Sequence, residues 1–251
     1  MAGRLDGTVA LVTGASSGIG EATAVALAAE GARLVLVARR RDRLEALASR
    51  IGGDAVVIEA DVTDAAQAQA AVAQAVEVAG RLDIVINNAG VMLLGPAEEA
   101  PYEEWERMVA VNVTGVLATT YAALPHLLSA AETAERRVAD VVTISSTAGR
   151  IARAGSGVYN LTKFGVGAFS EALRQEVTKR HVRVGLVEPG ATVSELRDHL
   201  RAPIRDAQAE RFRTMEPLEA TDIAEAVVYM VTRDRRQAVN EMLIRPTEQE
   251  T

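Results

Sequence analysis

The sequence predicts an α/β protein whose parallel sheet is covered by helices on both faces. Short apolar runs alternate with longer alanine-rich segments of helical period. Most of the apolar runs are continuous Val, Ile and Leu, which is typical of strands buried on both faces. The order strand–helix–strand repeats along the chain, and right-handed crossovers of this kind join parallel strands. With 251 residues, of which 49% are apolar, the chain can bury a large core, and we expect one domain over residues 1–251.

The individual elements follow from these patterns in chain order. Strands are predicted at the apolar runs Val9–Val12, Arg33–Ala38, Ala55–Ala60, Ile84–Ile86, Asp140–Ser145, Arg183–Glu188 and Glu241–Ile244. Helices are predicted at the alanine-rich segments between them, which are Gly20–Glu30, Arg41–Arg50, Ala65–Ala79, Tyr102–Ala131, Val158–Lys179 and Thr221–Thr232.

Two segments break this alternation. Ala130–Ala139 is polar and charged, and it is interpreted as a helix end followed by a solvated loop. Ala191–Pro217 combines prolines and arginines with scattered apolar residues between a strand and a helix. Because a connection this long inside a compact domain is usually functional, residues 191–217 are predicted to form a lid over the substrate.

Composition excludes several classes of function. The net charge of -7 disfavours a nucleic-acid surface. The absence of cysteine excludes disulfides and thiolate metal sites, and the histidines 126, 181 and 199 lack metal-ligand spacing, so no metal site is expected. The N-terminus lacks a signal peptide's apolar core, and no apolar run approaches the ~18–20 residues of a membrane span. We therefore expect a cytoplasmic protein that acts on a small molecule, without nucleic-acid or membrane partners.

The turn after the first strand contains three glycines in the sequence TGASSGIG, Thr13–Gly20. Glycine costs about 0.5–1 kcal/mol against alanine inside an element, so the turn must require it. Between a strand and a helix, glycines allow a dinucleotide pyrophosphate to approach the helix N-terminus, although the spacing departs from G-x-G-x-x-G and a plain turn remains an alternative. The predicted cofactor contacts here are Gly14, Ser16, Ser17, Gly18, Ile19 and Gly20.

The end of the second strand indicates which dinucleotide binds. NAD-selective folds usually place a carboxylate there to bind the ribose 2′-hydroxyl, whereas this chain has Ala38 followed by arginines. Arg39 and Arg40 can pair with a 2′-phosphate. The alternative is that they form the solvated start of a helix, although basic residues are unfavourable in a first turn. The sequence therefore predicts NADP(H) rather than NAD(H) as the cofactor.

The third and fourth strands end in further candidate contacts. Asp61, in the sequence EADV, can accept a hydrogen bond from adenine, with Val62 beside it, or can serve as a turn or N-cap residue. The sequence NNAG follows the fourth strand, and its small and amide residues would let a cofactor lie close to the backbone. Asn88, Ala89 and Gly90 are the predicted contacts there.

The sequence YNLTK places Tyr159 and Lys163 on one face of a predicted helix. Such a pair usually lies on the surface, but here a serine-containing turn, ISSTAG, ends a strand thirteen residues upstream of the tyrosine. That turn lies at the carboxyl edge of the sheet, where open α/β folds bind ligands. These residues therefore indicate a catalytic site.

Taken together, TGASSGIG, NNAG, Asn112 in VNVTG, Ser146 in ISS, YxxxK and EPG at 188–190 resemble the short-chain dehydrogenases/reductases in order and spacing, from about residue 5 to about residue 245. The resemblance implies a Rossmann-like doubly wound fold with a seven-stranded parallel sheet, a nicotinamide cofactor and a dimer or tetramer. It also implies that Tyr159 is the general acid/base, Ser146 polarises the carbonyl, Lys163 activates the tyrosine and Asn112 holds a relay water.

Elementary acid–base chemistry agrees with these roles. A free tyrosine has a pKa near 10, and a neighbouring ammonium and the nicotinamide charge would move that pKa toward working pH. Lys163 and Tyr159 are also predicted to contact the cofactor. Ser145 competes with Ser146, with strand packing as its alternative role, and Asn112 is alternatively a buried amide that bridges backbone groups. The resemblance further implies that Pro189 and Gly190 shape the nicotinamide pocket and that Thr192 binds the amide or a phosphate.

Three segments of the sequence are predicted to form the substrate pocket. The predicted pocket comprises Val91–Gly95, Gly149–Val158 and Ala191–Met215, and its apolar residues are alternatively core or interface. Arginines at 150, 153, 197 and 201 either meet a substrate carboxylate or are solvated. Stretches such as VMLLGP and EPGATVSEL resemble clavulanic-aldehyde reductases of secondary metabolism. The prediction is an NADPH-dependent aldehyde or ketone reductase, and this resemblance implies a role in antibiotic biosynthesis. The alternatives are a dehydrogenase, an epimerase or dehydratase, and a non-catalytic NADPH-binding protein.

Overall fold

Seven parallel strands form one sheet in the computed structural model, which describes residues 3–52, 54–213 and 215–250. Their order across the sheet is β3-β2-β1-β4-β5-β6-β7. The strands are β1 Val9–Thr13, β2 Arg33–Ala38, β3 Val56–Glu59, β4 Ile84–Asn87, β5 Ala139–Ile144, β6 Val182–Pro189 and β7 Glu241–Ile244. The order reverses between β1 and β4, and in such sheets ligands bind at the carboxyl ends beside the reversal.

Helices connect consecutive strands and cover both faces of the sheet. They are α1 Gly18–Ala29, α2 Arg41–Ile51, α3 Ala65–Ala79, α4 Tyr102–Val109, α5 Gly115–Thr133, α6 Gly157–Val177, α7 Ala202–Phe212 and α8 Ala220–Val231. A π-helical turn, Ala110–Thr114, joins α4 to α5, and 3₁₀ turns occupy Thr147–Gly149, Thr178–Arg180 and Glu195–His199. This is the predicted doubly wound, Rossmann-like α/β fold, which is therefore confirmed.

Alternate residues of β1 enter two different cores. Ala10 and Val12 belong to a cluster that contains Leu27 of α1 and residues of α8, whereas Val9 and Leu11 face a second cluster. That second cluster includes Leu127 of α5 and residues of α3 and α6. Since successive strand side chains point to opposite faces, a strand covered on both sides must be apolar at every position. The continuous Val/Leu runs of the sequence have this cause.

The segment Ala130–Ala139 contains the end of α5, as predicted, and Glu132, Glu135 and Arg137 are exposed, but several of its other residues are less solvated than expected. Helix α5 continues to Thr133, and Val138 and Ala139 are buried. The Arg136 side chain, only 15% exposed, donates to Asp140 at 3.0 Å and to the Val231 carbonyl. Charge in the sequence suggested solvent here, but a carboxylate on the next strand pairs the buried guanidinium, so the prediction was wrong for this part.

The segment 191–217 is more ordered than its description as a connection suggested, because it carries a 3₁₀ turn and α7. The run Tyr102–Thr133 also differs from expectation. At 32 residues it is long and apolar enough to cross a membrane by length and composition alone. The expectation that no apolar run approaches the length of a membrane span is therefore wrong. Core helices of folded proteins can be equally long and apolar. In this run, 44% of the most apolar 18-residue stretch is buried inside the protein, and Ala123 and Leu127 pack against the sheet.

Candidate active site

A cavity of about 770 Å³ lies at the carboxyl edge of the sheet. Its walls are the glycine turn after β1, the ends of β2 to β6, the start of α6, and the segment that contains the 3₁₀ turn Glu195–His199 and α7. This volume lies within the range of small-molecule and cofactor sites. The cavity therefore extends from the predicted dinucleotide turn to the predicted catalytic helix.

Tyr159 and Lys163 lie one turn apart on α6, and both line the cavity while being almost fully buried in the protein. The Lys163 Nζ lies 5.7 Å from the centre of the Tyr159 ring. It donates a 2.9 Å hydrogen bond to the carbonyl oxygen of Ile144, the last residue of β5. The predicted catalytic pair is thus brought together at the end of β5.

Burial controls the protonation of this pair. It raises the pKa of Tyr159 to about 12, against a smaller lowering by a hydrogen bond with Ser146. It lowers the pKa of Lys163 to about 8, because an ammonium is poorly solvated there. The expectation that Lys163 brings the tyrosine pKa down toward neutrality is not what the protein alone shows, since desolvation of the phenol dominates and the ammonium faces Ile144.

The two neighbouring serines have different surroundings. Ser146 caps the 3₁₀ turn Thr147–Gly149 by accepting a hydrogen bond from the Ala148 amide at 3.1 Å, and it also contacts the Tyr159 side chain. Ser145 is buried, and its hydroxyl points toward the Lys163 carbonyl at 3.4 Å. The hydroxyl beside the phenol therefore belongs to Ser146, as expected from the spacing.

Asn112 lies in the π-helical turn between α4 and α5, and such turns often occur at functional sites. Its Oδ1 accepts from the Val91 amide at 2.8 Å, and its Nδ2 donates to the Val91 carbonyl at 2.9 Å and to the Thr162 hydroxyl at 3.2 Å. The side chain therefore bridges backbone groups, which was the alternative considered from the sequence. Asn112 is not among the residues that line the cavity, and its water-holding role stays a prediction.

The glycine turn is shaped by the NNAG segment that packs on it. Gly14 has φ +65°, and a Cβ there would lie 2.8 Å from Ala89 Cα. A Cβ on Gly20 would lie 2.4 Å from both Asn88 Nδ2 and the Gly14 carbonyl oxygen. Asn88 in turn donates to the Thr13 and Gly14 carbonyls at 2.9 and 3.2 Å. Close packing of two strand ends, and not only ligand approach, requires these glycines.

The same turn exposes the start of α1 to the cavity. Ser17 is the N-cap residue and makes no capping hydrogen bond with its side chain, and the cavity is lined by Ser16, Ser17, Gly18 and Ile19. Uncapped N–H groups at a helix N-terminus attract anions. Among the predicted contacts of this turn, Gly14 also lines the cavity, whereas Gly20 is buried behind it.

Both predicted arginines line the cavity. Arg40 donates to the Ser16 hydroxyl at 3.0 and 3.1 Å and to the Ser17 hydroxyl at 2.8 Å. Its other terminal nitrogen lies 2.9 Å from a carboxylate oxygen of Glu195. Arg39 is more exposed and lies 3.7 Å from Asp61. Arg40 is therefore the better placed of the two, beside the glycine turn.

Asp61 forms a local turn, as its alternative interpretation predicted. Its Oδ1 accepts from the Thr63 amide at 3.0 Å and from the Thr63 hydroxyl at 2.8 Å. It still lines the cavity beside Val62, so an adenine contact stays a prediction. Asn88, Ala89 and Gly90 line the same wall.

The far wall of the cavity contains Pro189, Gly190 and Thr192, as expected, together with a residue that the sequence did not indicate. Gln249 Oε1 accepts from the Ala191 amide at 2.8 Å, and a Cβ on Gly190 would lie 2.3 Å from that oxygen. The C-terminal segment thus holds the turn that follows β6. No spacing or motif pointed to Gln249, and Glu195 on the 3₁₀ turn was predicted only as part of the pocket segment Ala191–Met215.

The substrate end of the cavity is lined by apolar side chains that include Met92, Leu94, Ile151 and Leu196, whereas Leu93 is buried in a neighbouring core. The predicted arginines divide into two groups. Arg153 and Arg197 line the cavity. Arg150 and Arg201 are instead paired elsewhere, and each has its own structural partner.

Those partners explain why two of the arginines do not face the substrate. Arg150 donates twice to buried Glu188 at 2.7 Å and also pairs with Glu241 of β7. Arg201 lies 3.3 Å from Glu104 and donates to the Glu99 carbonyl at 3.2 Å. Neither residue lines the cavity, so the expected contact with a substrate carboxylate is not formed, and both remain partly solvated while paired with protein carboxylates.

Comparisons with known proteins agree with this geometry. A model of the short chain dehydrogenase family matches residues 8–205. An uncharacterized oxidoreductase of Staphylococcus saprophyticus is 37% identical over 245 residues, covering 96% of each chain. The closed form of a serine dehydrogenase complexed with NADP+ superposes with a TM-score of 0.88 and 31% identity over 97% of both chains.

A second solved structure carries the other nicotinamide cofactor. The 3-ketoacyl-(acyl-carrier-protein) reductase from Brucella melitensis, complexed with NADH, superposes with a TM-score of 0.85 and 31% identity. The match covers 96% of this chain and 98% of that one. Likeness of fold thus extends to oxidoreductases that were solved with either nicotinamide dinucleotide.

Proposed function

Because this chain belongs to the short-chain dehydrogenase family, we propose that it is an NADPH-dependent oxidoreductase that reduces an aldehyde or ketone to an alcohol. One observation carries the proposal: the Tyr159 phenol, the Ser146 hydroxyl and the Lys163 side chain line one cavity that continues to the glycine turn and Arg40. Dinucleotide binding and proton transfer are thereby possible in adjacent parts of one site.

The residues of the turn fit a dinucleotide. Gly14 and Gly18 have positive φ values of +65° and +56°, and the start of α1 presents N–H groups without a side-chain cap. A pyrophosphate would be held by these groups, and the 2′-phosphate of NADP(H) would be held by Arg40 and the Ser16 hydroxyl. The support for NADP(H) is this arginine and the alanine at position 38, where a 2′-hydroxyl-binding acid would stand.

A nicotinamide cofactor, when bound, supplies the hydride. The protein contributes the proton and the stabilisation of charge. Ser146 donates a hydrogen bond to the substrate oxygen as negative charge develops on it. Tyr159, whose pKa of about 12 keeps the phenol protonated, donates the proton to that oxygen. The Lys163 ammonium, held by Ile144, stabilises the phenolate that remains.

The proposed substrate is an apolar aldehyde or ketone, in line with the side chains at the substrate end of the cavity. The resemblance to clavulanic-aldehyde reductases stays a prediction, and with it a role in antibiotic biosynthesis. We also propose a cytoplasmic homodimer or homotetramer. Apolar side chains that are exposed on α5 and α6 support this assembly, and they are Leu117, Tyr121, Leu161 and Phe164.

The test of the proposed function is a kinetic one. A panel of aldehydes and ketones is offered with NADPH and with NADH, and consumption of reduced cofactor is followed by absorbance together with alcohol formation. We expect kcat/KM to be at least about tenfold higher with NADPH, since a charge-assisted arginine–phosphate contact is worth more than a neutral hydrogen bond. A preference for NADH would overturn the cofactor assignment. Turnover without net oxidation of NADPH would overturn the reductase assignment in favour of an epimerase or dehydratase.

A further inference from the structure

Glu195 connects the segment over the cavity to the arginines at the end of β2. It is the first residue of the 3₁₀ turn Glu195–His199, which follows β6. Its Oε2 lies 2.9 Å from Arg40, and its Oε1 lies 2.5 Å from Arg43 on α2. Residues that are more than a hundred positions apart in sequence thus meet beside the glycine turn.

The carboxylate is held there as an anion. Burial alone would raise its pKa, but hydrogen bonds from Arg43, Ser17 and Arg40 outweigh burial and lower the pKa of Glu195 to about 2. The group is therefore charged at any pH used for an enzyme assay. A carboxylate and a phosphate oxygen are the same kind of acceptor for a guanidinium group.

Arg40 is already occupied by these contacts. Its Nε and one terminal nitrogen donate to the Ser16 and Ser17 hydroxyls, and the other terminal nitrogen faces Glu195. A 2′-phosphate that approached Arg40 would meet the Glu195 carboxylate at short range, and like charges repel. The phosphate and the carboxylate cannot both use the same guanidinium edge at full strength.

We propose that Glu195 is a specificity-determining residue for the cofactor, because its carboxylate competes with the 2′-phosphate of NADP(H) for Arg40 and Arg43. This inference rests on the proposed function. Binding of the phosphate transfers the arginines from Glu195 to the ligand and releases the 3₁₀ turn from α2. Because Leu196, Arg197 and His199 of that turn line the cavity, the phosphate also loosens the cover of the substrate end.

The alternative is that Glu195 has a purely structural role. It would then hold the 3₁₀ turn Glu195–His199 in place, and the phosphate would bind elsewhere. In that case removal of the carboxylate would lower thermal stability and leave phosphate binding unchanged or weaker. Competition between the carboxylate and the phosphate predicts instead that removal of the carboxylate strengthens phosphate binding. The two interpretations therefore differ in sign and can be separated by one titration.

The experiment titrates the intact protein with adenosine 2′,5′-bisphosphate, which carries the phosphate without nicotinamide, and with ADP, which lacks the 2′-phosphate. Glu195→Gln is the variant, and Glu45→Gln is the matched control, because Glu45 pairs with Arg41 on the same helix and touches neither Arg40 nor Arg43. Calorimetry gives the dissociation constants. Glu195→Ala is measured in parallel and serves if the first variant fails to fold.

We expect Glu195→Gln to bind the bisphosphate about three- to tenfold more tightly than wild type, given that partly exposed ion pairs contribute modestly. ADP binding and the Glu45→Gln variant should change by less than about twofold. In wild type, adenosine 2′,5′-bisphosphate should also accelerate tryptic cleavage after Arg197, and Glu195→Gln should be cleaved quickly without it. Unchanged or weaker bisphosphate binding in both variants would overturn the inference.

Failure of the proposed function looks different. If wild type binds the bisphosphate no better than ADP, the NADP(H) assignment of the wild-type protein fails. In that case the Glu195 inference is supported if Glu195→Gln binds the bisphosphate better than ADP, and it is overturned if Glu195→Gln does not. If wild type prefers the bisphosphate and Glu195→Gln does not strengthen that preference, only the Glu195 inference is lost.

Discussion

The ammonium nitrogen of Lys163 lies 5.7 Å from the ring centre of Tyr159, while its hydrogen bond goes to the Ile144 carbonyl. The lysine therefore acts on the phenol through space and is held in place by the end of β5. Two buried titratable groups on one helix face are fixed relative to β5 and to the turn after it, which carries Ser146. Such a buried pair on the cavity wall is the kind of arrangement that marks functional sites.

Replacing Tyr159 with phenylalanine removes the proton donor and keeps the ring volume. We expect the reductase rate to fall by about 10²- to 10⁴-fold, the usual contribution of a positioned acid. Binding of NADPH should remain within about threefold, since the phenol contributes one hydrogen bond at most. Steady-state kinetics and a fluorescence titration of NADPH measure both, and a fully active variant would remove Tyr159 from the mechanism.

The pH dependence of reduction should reflect Lys163. Its pKa of about 8 means that the ammonium is present below that pH and lost above it, while Tyr159, at about 12, keeps its proton throughout. We therefore expect kcat/KM for reduction to decline as pH rises through about 8, in a step that belongs to the coupled pair.

Lys163→Met tests that assignment, because it lacks a titratable group. Its residual rate should be low and should show no step near pH 8, and the pH–rate profile of both proteins is the measurement. A step that persists unchanged in the variant would assign the titration to another group.

Arg40 should determine the preference for NADPH. Arg40→Gln removes the guanidinium beside Ser16 and Ser17, and we expect the dissociation constant of NADPH to rise about tenfold or more while that of NADH changes little. Arg39→Gln is the matched comparison, since Arg39 is more exposed and lies 3.7 Å from Asp61. Equal losses for both cofactors in Arg40→Gln would show that this arginine does not recognise the 2′-phosphate.

Asn112 should matter for stability through its paired hydrogen bonds to Val91. Asn112→Ala leaves the buried amide and carbonyl of Val91 without those partners, and we expect a loss of about 2–3 kcal/mol in the free energy of unfolding. Asn240→Ala, at an exposed side chain, should change it by less than about 0.5 kcal/mol. Urea unfolding compares the two, and equal effects would contradict the bridging role.

Gly20→Ala should disturb the glycine turn from behind. The new Cβ would lie 2.4 Å from the Gly14 carbonyl oxygen, so the turn or the helix must shift, at a cost of about 1–3 kcal/mol. NADPH binding should weaken together with stability. Gly157→Ala is the control, because a Cβ there meets nothing within 4 Å and alanine favours a helix. Thermal melts that are unchanged in Gly20→Ala would contradict the observed packing.

The strands and most helices were predictable because each follows from a local period in the sequence. The positions of Ser146, Tyr159 and Lys163 on the cavity wall were also predictable. Tyr159 and Lys163 lie four residues apart on one helix face, and Ser146 follows the end of a strand. Helix α7 was not. Its apolar residues do not recur with a helical period, and the proline at its second position, Pro203, which a first helical turn tolerates, suggested a loop.

Long-range pairing was the other feature that the sequence could not supply. Arg136 looked solvated until Asp140 and the Val231 carbonyl were seen around it. The contacts of Glu195 with Arg40 and of Gln249 with Ala191 join distant segments, and no local pattern specifies them. Charged and amide side chains that pair across distant segments show no periodic pattern in the sequence. Only the folded structure therefore shows which of them are in contact.

The separation of the two halves of the cavity has an evolutionary consequence. Strand ends and α6 supply the residues around Tyr159, whereas the cover over the substrate end comes largely from one excursion between β6 and α8. A chimera that exchanges residues 196–217 with those of a relative would therefore change the lining of the substrate end while keeping Tyr159, Lys163 and the contact of Glu195 with Arg40. Part of the substrate end can in this way diverge through one connection, without any change in the sheet.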